Sequence, residues 1–515
     1  MDIGNVNSNP FTLAEITGAI KGLKNGKAAG VDNLCAELLK AGSREMTEWL
    51  LHLCNNAWEQ ETVPQEWKKG IIVKLPKKGN LQDCNNWRGI VLLSIPEKVY
   101  TRMILWRMKK QADAVLREEQ AGFRSGRSCI DQIFTLRRIL EQTLEHKKPL
   151  IINFIDFEKA FDSLDRASLW QILAVYGFPA KYIRVISSLY EDSECCVKVE
   201  NDHTQWFKIL TGVKQGCVLS PVLFGLAMDW LMRQTIGTAN RGIKWTETQE
   251  ILEDLDFADD IALISVSTED MQLKTDRLYE VGQRIGLKIS EKKTQLMAFC
   301  MSDPAITVGG KAVEKVTKFT YLGSCFTEGN DTEYEMSVRI GKAASCVARL
   351  KNIWNNKRLS VHTKMQVYNS TVVSVLLYGA ETWALTRTQE KKLDGFDSRS
   401  LRRIMGIRWQ QRVSNEELRR RTKQPPVTSL LKKKRLRWLG HAMRMEESRI
   451  ARQAMTWAVG GKRKPGRPKT TWLQTINRDL ADMQISMEDV KELAQNRAEW
   501  RNLVSASCDD WRKKK

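Results

Sequence analysis

Histidine is scarce in this 515-residue chain: there are five, and none stands at zinc-finger spacing from a cysteine. The eleven cysteines are scattered without one Cys-x-x-Cys, and Cys195 and Cys196 are adjacent. A zinc knuckle and a disulfide framework are thereby excluded, and the thiols are expected to be reduced and mostly buried. No run of 18 apolar residues exists, and the N-terminus lacks a basic-then-apolar leader pattern. The expectation is a soluble, intracellular protein with no membrane partner. Acidic residues are also short, 61 Asp and Glu against 82 Lys and Arg, a net charge of +21. The imbalance is local. Residues 387–515 hold 33 Lys and Arg against 15 Asp and Glu, whereas the first 386 hold 49 against 46. A basic excess gathered into one quarter of the chain points to a nucleic-acid footprint there and to a nuclear location. With 42% hydrophobic and 8% aromatic residues, the chain has enough apolar surface for real cores.

Two segments concentrate carboxylates beside β-forming residues. FADDIALI at 257–264 reads as strand, tight turn, strand, with Asp259 and Asp260 at the tip between Leu255 and Phe257 on one side and Ile261, Leu263 and Ile264 on the other. INFIDFEKAFD at 152–162 reads as a buried strand ending at Asp156. By itself the Asp-Asp turn is an ordinary solvated turn, and Asp156 alone is a cap for the helix that follows. Together the three form a hard, oxygen-only donor set from two strands, suited to Mg²⁺ beside a phosphate.

Between them lies TGVKQGCVLSPVLFGLAMDWL at 211–231. Gly212 and Gly216 bracket Gln215 in a backbone that can approach a ligand closely. Ser220-Pro221 reads as a helix start, with Ser as N-cap and Pro at the first helical position.

Asp, then Gly-x-x-Gln-Gly-x-x-x-Ser-Pro, then Ala-Asp-Asp, in that order, resembles the palm of reverse transcriptases, those of non-LTR (LINE-type) retrotransposons above all. NNWRGIVLLS (85–94), AGFRSGRSCIDQIFTLRRI (121–139), GLKISEKKT (286–294) and KFTYLGSCF (318–326) match further blocks, although Ser290 stands where Asn is usual and Val31 where Pro is. The resemblance implies an α+β, right-hand polymerase of fingers, palm and thumb with a helical basic C-terminal region. The expected boundaries are fingers 1–150, palm 151–310 with inserted fingers elements, thumb 311–386 and basic region 387–515.

It implies RNA-directed DNA synthesis with two Mg²⁺ ions (Mn²⁺ as substitute) on Asp156, Asp259 and Asp260. Lys293 would protonate pyrophosphate, and Lys77, Arg88, Phe161, Gln215 and Gly216 would hold the dNTP, Phe161 as the ring that excludes a 2′-hydroxyl. Tyr321, Leu322 and Gly323 would form the primer grip. The expected partners are an RNA template, a DNA primer or target and dNTPs. Residues 387–515 show no nuclease pattern, so the endonuclease that nicks the target is expected in trans, with this chain the polymerase portion of a truncated element. The alternative reading is a catalytically silent nucleic-acid-binding remnant.

Outside those blocks, Thr12-x-x-Glu15 is a capping box with Phe11 and Ile16 at staple spacing, for a helix running to Lys24. From 331 onward apolar residues recur at three and four: Met336, Ile340, Ala344, Val347, Leu350 and Trp354, then Met365, Tyr368, Val372 and Val375. In the basic quarter, KKKRLRWLGH (432–441) nominates Lys432, Lys433, Lys434, Arg435 and Arg437 for phosphates, and GKRKPGRPKTTW (461–472) nominates Arg467 in a hook-like Gly-Arg-Pro. Catalysis on short templates is expected to survive without this quarter.

Overall fold

The computed structural model describes residues 6–508, apart from 78, 238–239, 246–249, 461–462 and 464–468. Arg467 lies outside the described residues. The N-terminal helix Leu13–Lys21 forms where the capping box placed it: the Glu15 amide donates to Thr12 Oγ1 (3.3 Å) and the Thr12 amide to Glu15 Oε2 (2.8 Å). The helix ends three residues before the expected Lys24.

Two five-stranded sheets organise residues 69–315. In the first, Lys69–Pro76 pairs antiparallel with Trp87–Leu92 on one edge and parallel with Glu194–Val199 on the other. A strand from beyond the helices Arg166–Val175 and Ala180–Ser188 thus joins the first sheet. The second sheet has the order Glu314–Lys315, Gln295–Phe299, Leu150–Ile155, Asp260–Ser265, Asp254–Phe257. Its central strand, LIINFI, is buried at every position.

The reason is a second cover. Alternate residues of a strand point to opposite faces. Ile151, Ile155, Ile261 and Leu263 join a core with the helices Ser220–Ile236 and Thr268–Arg284. Ile152, Phe154, Ala262 and Ile264 join another core, made with the helix Cys129–His146, the hairpin Lys318–Tyr321/Ser324–Thr327 and helices between 427 and 508. Phe319 stacks on Phe154 with ring centroids 3.9 Å apart, so this hairpin belongs with the palm and not with a thumb beginning at 311.

Residues 436–504 therefore line the palm. Trp438 and Trp472 pack edge-on against Phe134, at 5.5 and 4.7 Å, and the Trp500 indole donates to Leu436 O. The thumb core runs from Met336 to Leu431, across the expected boundary at 387. In its first helix, Thr332–Arg349, Ala343 and not Ala344 faces inward. The helix Val427–Met443 serves both bodies. Val427 and Leu431 sit in the thumb core, while Leu436, Leu439 and Ala442 sit in the palm-side core.

That double duty overturns the phosphate-binding reading of the helix. Arg435 is 1% exposed and is held by Asp479 (2.8 and 3.1 Å) and Glu390 (3.0 Å). Lys434 pairs with Glu381 at 2.7 Å and Lys432 with Asp482 at 3.6 Å. Lys433 is half-buried, and only Arg437 of the five is exposed. The sequence counted the charge without knowing that distant acids meet Lys432, Lys434 and Arg435. A chain ending at residue 435 should lose soluble expression and cooperative unfolding, because Phe134 and Phe154 lose their cover. Soluble yield and a thermal melt check this outcome, which replaces the expectation that catalysis survives the deletion.

Candidate active site

The Asp-Asp turn is a hairpin whose register pairs Asp260 with Phe257, leaving Ala258 and Asp259 as the turn. Ala258 takes φ +59, a left-handed conformation unfavourable to a Cβ residue. It is held there by neighbours. Gln120 Oε1 accepts from the Ala258 and Gly122 amides, both at 2.8 Å, and its amide nitrogen donates back to Ala258 O. A Cβ at Gly122 would lie 2.2 Å from the Ala258 nitrogen, so glycine is required where the two backbones touch. Alongside, Ala121 and Gln132 donate to Asp256 O, and the Asp256 amide to Glu119 O. Segment 119–121 thus acts as a further edge on the sheet.

Beneath the hairpin sits Arg117. It donates to both oxygens of Asp254 (3.1 and 2.9 Å) and to Asp256 (2.8 Å), and lies 3.5 Å from Asp229. Asp229 is also held by Arg233 Nε (2.7 Å) and the Tyr176 hydroxyl (2.5 Å). Burial works against the Arg117 charge, but Asp254, Asp256 and Glu119 more than offset it, and its pKa lies well above the ordinary arginine value. Neither Arg117 nor Gln120 stood out in sequence, because their partners lie more than a hundred residues away.

The central pairing continues into the site. Ile155 pairs with Ile261, so Asp156, one step beyond, falls opposite Asp260. Burial in the cleft, then the Asp259 and Asp156 carboxylates, push Asp260 up to about 6. Burial with help from Asp156 raises Asp259 too, while Arg88 pulls it down. The expected carboxylates are therefore together, and Arg88 reaches them from the fingers. Lys293 Nζ is 3.2 Å from Asp156 Oδ1, so it shares the site. The donor set is hard oxygen throughout, and mutual repulsion among three carboxylates is what a divalent cation relieves. Among the described residues, no three His, Cys, Asp or Glu side chains form a ready metal cluster. The remaining ligands would have to be phosphate oxygens, the usual habit of Mg²⁺.

Gln215 Nε2 donates to Asp162 (2.9 Å), and its carbonyl accepts from the Val91 amide (2.7 Å). Gly216 sits at φ +144, and a Cβ there would be 2.2 Å from Val91 O. This glycine locks the fingers strand to the palm loop. Ser220 is the first helical residue and not the cap; its hydroxyl donates to Lys214 O. Phe161 stacks on Phe224 (4.2 Å) and meets Phe123 edge-on (6.0 Å). Phe123, half exposed at φ +58, went unnoticed in the sequence.

Lys77 is the residue the structure does not bring in. It lies at the hairpin tip, with its ammonium on Asn85 O. Leu322 and Gly323 form a two-residue turn at φ +47 and +80. Tyr378 donates to Leu322 O, Arg339 to Gly323 O, and Tyr321 to Leu255 O, which ties this turn to the aspartate hairpin and to the thumb.

Residues 75–326, 252 of the 515, match the family model of reverse transcriptase (RNA-dependent DNA polymerase). Residues 347–378 match a domain of unknown function. The expected likeness to non-LTR retrotransposon polymerases holds. The chain is 26% identical over 411 residues to the probable RNA-directed DNA polymerase from transposon BS of Drosophila melanogaster, covering 77% of this chain and 44% of that one. It is 25% identical over 408 residues to the transposon TX1 uncharacterized 149 kDa protein of Xenopus laevis, covering 78% and 30%. The chain thus spans under half the length of these relatives. A solved telomerase from Candida tropicalis, in complex with a TWJ fragment of telomeric RNA, matches with 14% identity and TM-score 0.39, covering 81% of this chain and 70% of that one. Among the described residues no helix is long and apolar enough to cross a membrane.

Arg117→Met should leave Asp254 and Asp256 buried without their cation and cost about 3–5 kcal/mol of unfolding free energy. Denaturant titration checks this, with exposed Arg437→Gln expected within about 0.5 kcal/mol of wild type.

Proposed function

We propose that this chain extends a primer 3′-hydroxyl with dNTPs on an RNA template. The observation that carries the reading is the meeting of Asp156, Asp259 and Asp260 at the end of two paired strands, with Lys293 on Asp156 and Arg88 close enough to act on Asp259. Two divalent cations, Mg²⁺ or Mn²⁺ in its place, held by Asp156 and Asp259 with Asp260 beside them, would activate the attacking hydroxyl and neutralise charge on the leaving pyrophosphate. Arg88 offsets triphosphate charge from the fingers side. Lys293 carries a proton beside Asp156 and is placed to deliver it to pyrophosphate. The Gln215–Gly216 backbone, fixed to Val91, sets the floor under the nucleotide. Phe161, braced by Phe224, presents a ring against which a 2′-hydroxyl would collide. The Tyr321–Leu322–Gly323 turn, anchored to Leu255, holds the primer end. Template and primer are RNA and DNA strands, and a nick in the target DNA supplies the primer. The nucleus, where that DNA lies, is the proposed location.

Extension of oligo(dT) on poly(rA) with Mg²⁺ tests the reading. Asp156→Asn and Asp259→Asn should each drop extension below about a tenth of wild type while duplex binding is kept, since an amide cannot replace a bridging charge. In the same assay Phe161→Val should raise the rNTP-to-dNTP incorporation ratio. An unchanged ratio would make Phe161 only a packing residue against Phe224.

A further inference from the structure

Five arginines and an exposed tryptophan on the thumb have no part in the cleft. The helix Arg387–Met405 carries Arg399, Arg402 and Arg403 at spacings of three and four, on one face. It stops at Gly406, φ +66, and the chain turns through the short stretch Trp409–Gln411, which Arg412 closes at φ +45. The turn brings Arg408, Trp409 and Arg412 around the depression of about 500 Å³ that the helix arginines also line, and no acidic residue lines it.

The charge here is unspent, unlike that of the buried basic helix. None of these five arginines has an ion-pair partner among the described residues, whereas neighbouring Arg419, Arg420 and Arg421 pair with Asp397 or Glu417. Trp409 is 84% exposed, so folding gains little from its apolar surface. The turn is nonetheless stiff. Arg402 donates to Val413 O (3.0 Å) and Asn415 Oδ1 (2.9 Å), the Arg408 amide to Gln411 Oε1 (2.8 Å), and buried Leu401 and Ile404 anchor the helix in the thumb core. An exposed indole on a hydrogen-bonded turn, among guanidiniums without ion-pair partners, fits a strand that offers an unstacked base between phosphates.

We propose that this pocket binds a single-stranded polynucleotide, with one base on Trp409 and the flanking phosphates on Arg399, Arg403, Arg408 and Arg412. A duplex keeps its bases stacked and cannot use the indole. The assignment deepens the polymerase reading and rests on it for why a strand should pass along the thumb. Stacking itself does not distinguish RNA from DNA, and the two sources are separated by the probes.

The test is fluorescence anisotropy on the full chain with labelled oligo(rA) and oligo(dA) of about 20 nucleotides and a blunt duplex of equal length. Trp409→Ala should weaken single-strand binding about ten-fold and leave the duplex unchanged, while Trp409→Phe keeps most of the affinity. The double change Arg403→Glu, Arg412→Glu should reduce the single-strand slope of log affinity against log salt by about 1.4. A larger loss on oligo(rA) assigns the site to template RNA, and a larger loss on oligo(dA) assigns it to a DNA strand. Unchanged single-strand affinity in Trp409→Ala, or an equal loss on the duplex, overturns the proposal. Primer extension by the wild-type chain on a short template at low salt is read in parallel. Robust extension with unaltered binding would fail the pocket alone. No extension by wild type, with binding lost in Trp409→Ala, would fail the polymerase reading and leave the pocket standing.

Discussion

The Arg117 guanidinium, set against Asp229, Asp254 and Asp256, fixes the ground on which the aspartate hairpin stands. Asp254 and Asp256 alternate with Leu255, so one face of this short strand is acidic and buried while the other joins the apolar core. Such a strand does not fold on apolar contacts alone; the buried carboxylates demand a cation with several donors, and arginine's planar fork supplies it. Once Arg117 is in place, the residues after it lie along the strand edge. Gln120 and Gly122 then pin Ala258 in its left-handed turn, which aims Asp259. A salt bridge that contributes little net stability can still decide where a catalytic carboxylate points.

The second constraint is that the palm sheet is covered on both faces. A strand as apolar as LIINFI needs two covers, and the second is assembled from the helix Cys129–His146, the hairpin 318–327 and helices between 427 and 508. The helix Val427–Met443 joins thumb and palm, with Arg435 clamped in its middle by Asp479 and Glu390. The Leu322–Gly323 turn is tied to both bodies as well, through Tyr321 to Leu255 and through Tyr378 and Arg339 to the thumb.

What was legible in the sequence is what local pattern encodes. The capping box at Thr12, the hairpin around Asp259, the strand ending at Asp156 and the glycine pair around Gln215 all depend on neighbours within a few residues, and each formed. Charge misled where partners were distant. Arg435 is neutralised by acids 44 and 45 residues away, and a run of five basic residues looks the same whether those acids exist or not. Arg117 and Gln120 were missed for the same reason, since the aspartates and the Ala258 turn they hold lie 112 to 139 residues along the chain. Burial also separates the tryptophans of this region: Trp438, Trp472 and Trp500 build the palm lining, whereas Trp409 stands free.

The central claim is that the backbone clamp on Ala258, and not the carboxylates alone, makes this site. Its most direct measurement is the single-turnover extension rate of Gln120→Met, which keeps the side-chain volume but removes both the acceptor and the donor facing Ala258. Misplacing a catalytic carboxylate by about an ångström costs on the order of a hundred-fold in rate. The account predicts a fall of that size with primer–template affinity unchanged and cooperative unfolding retained. A wild-type rate in Gln120→Met would contradict it.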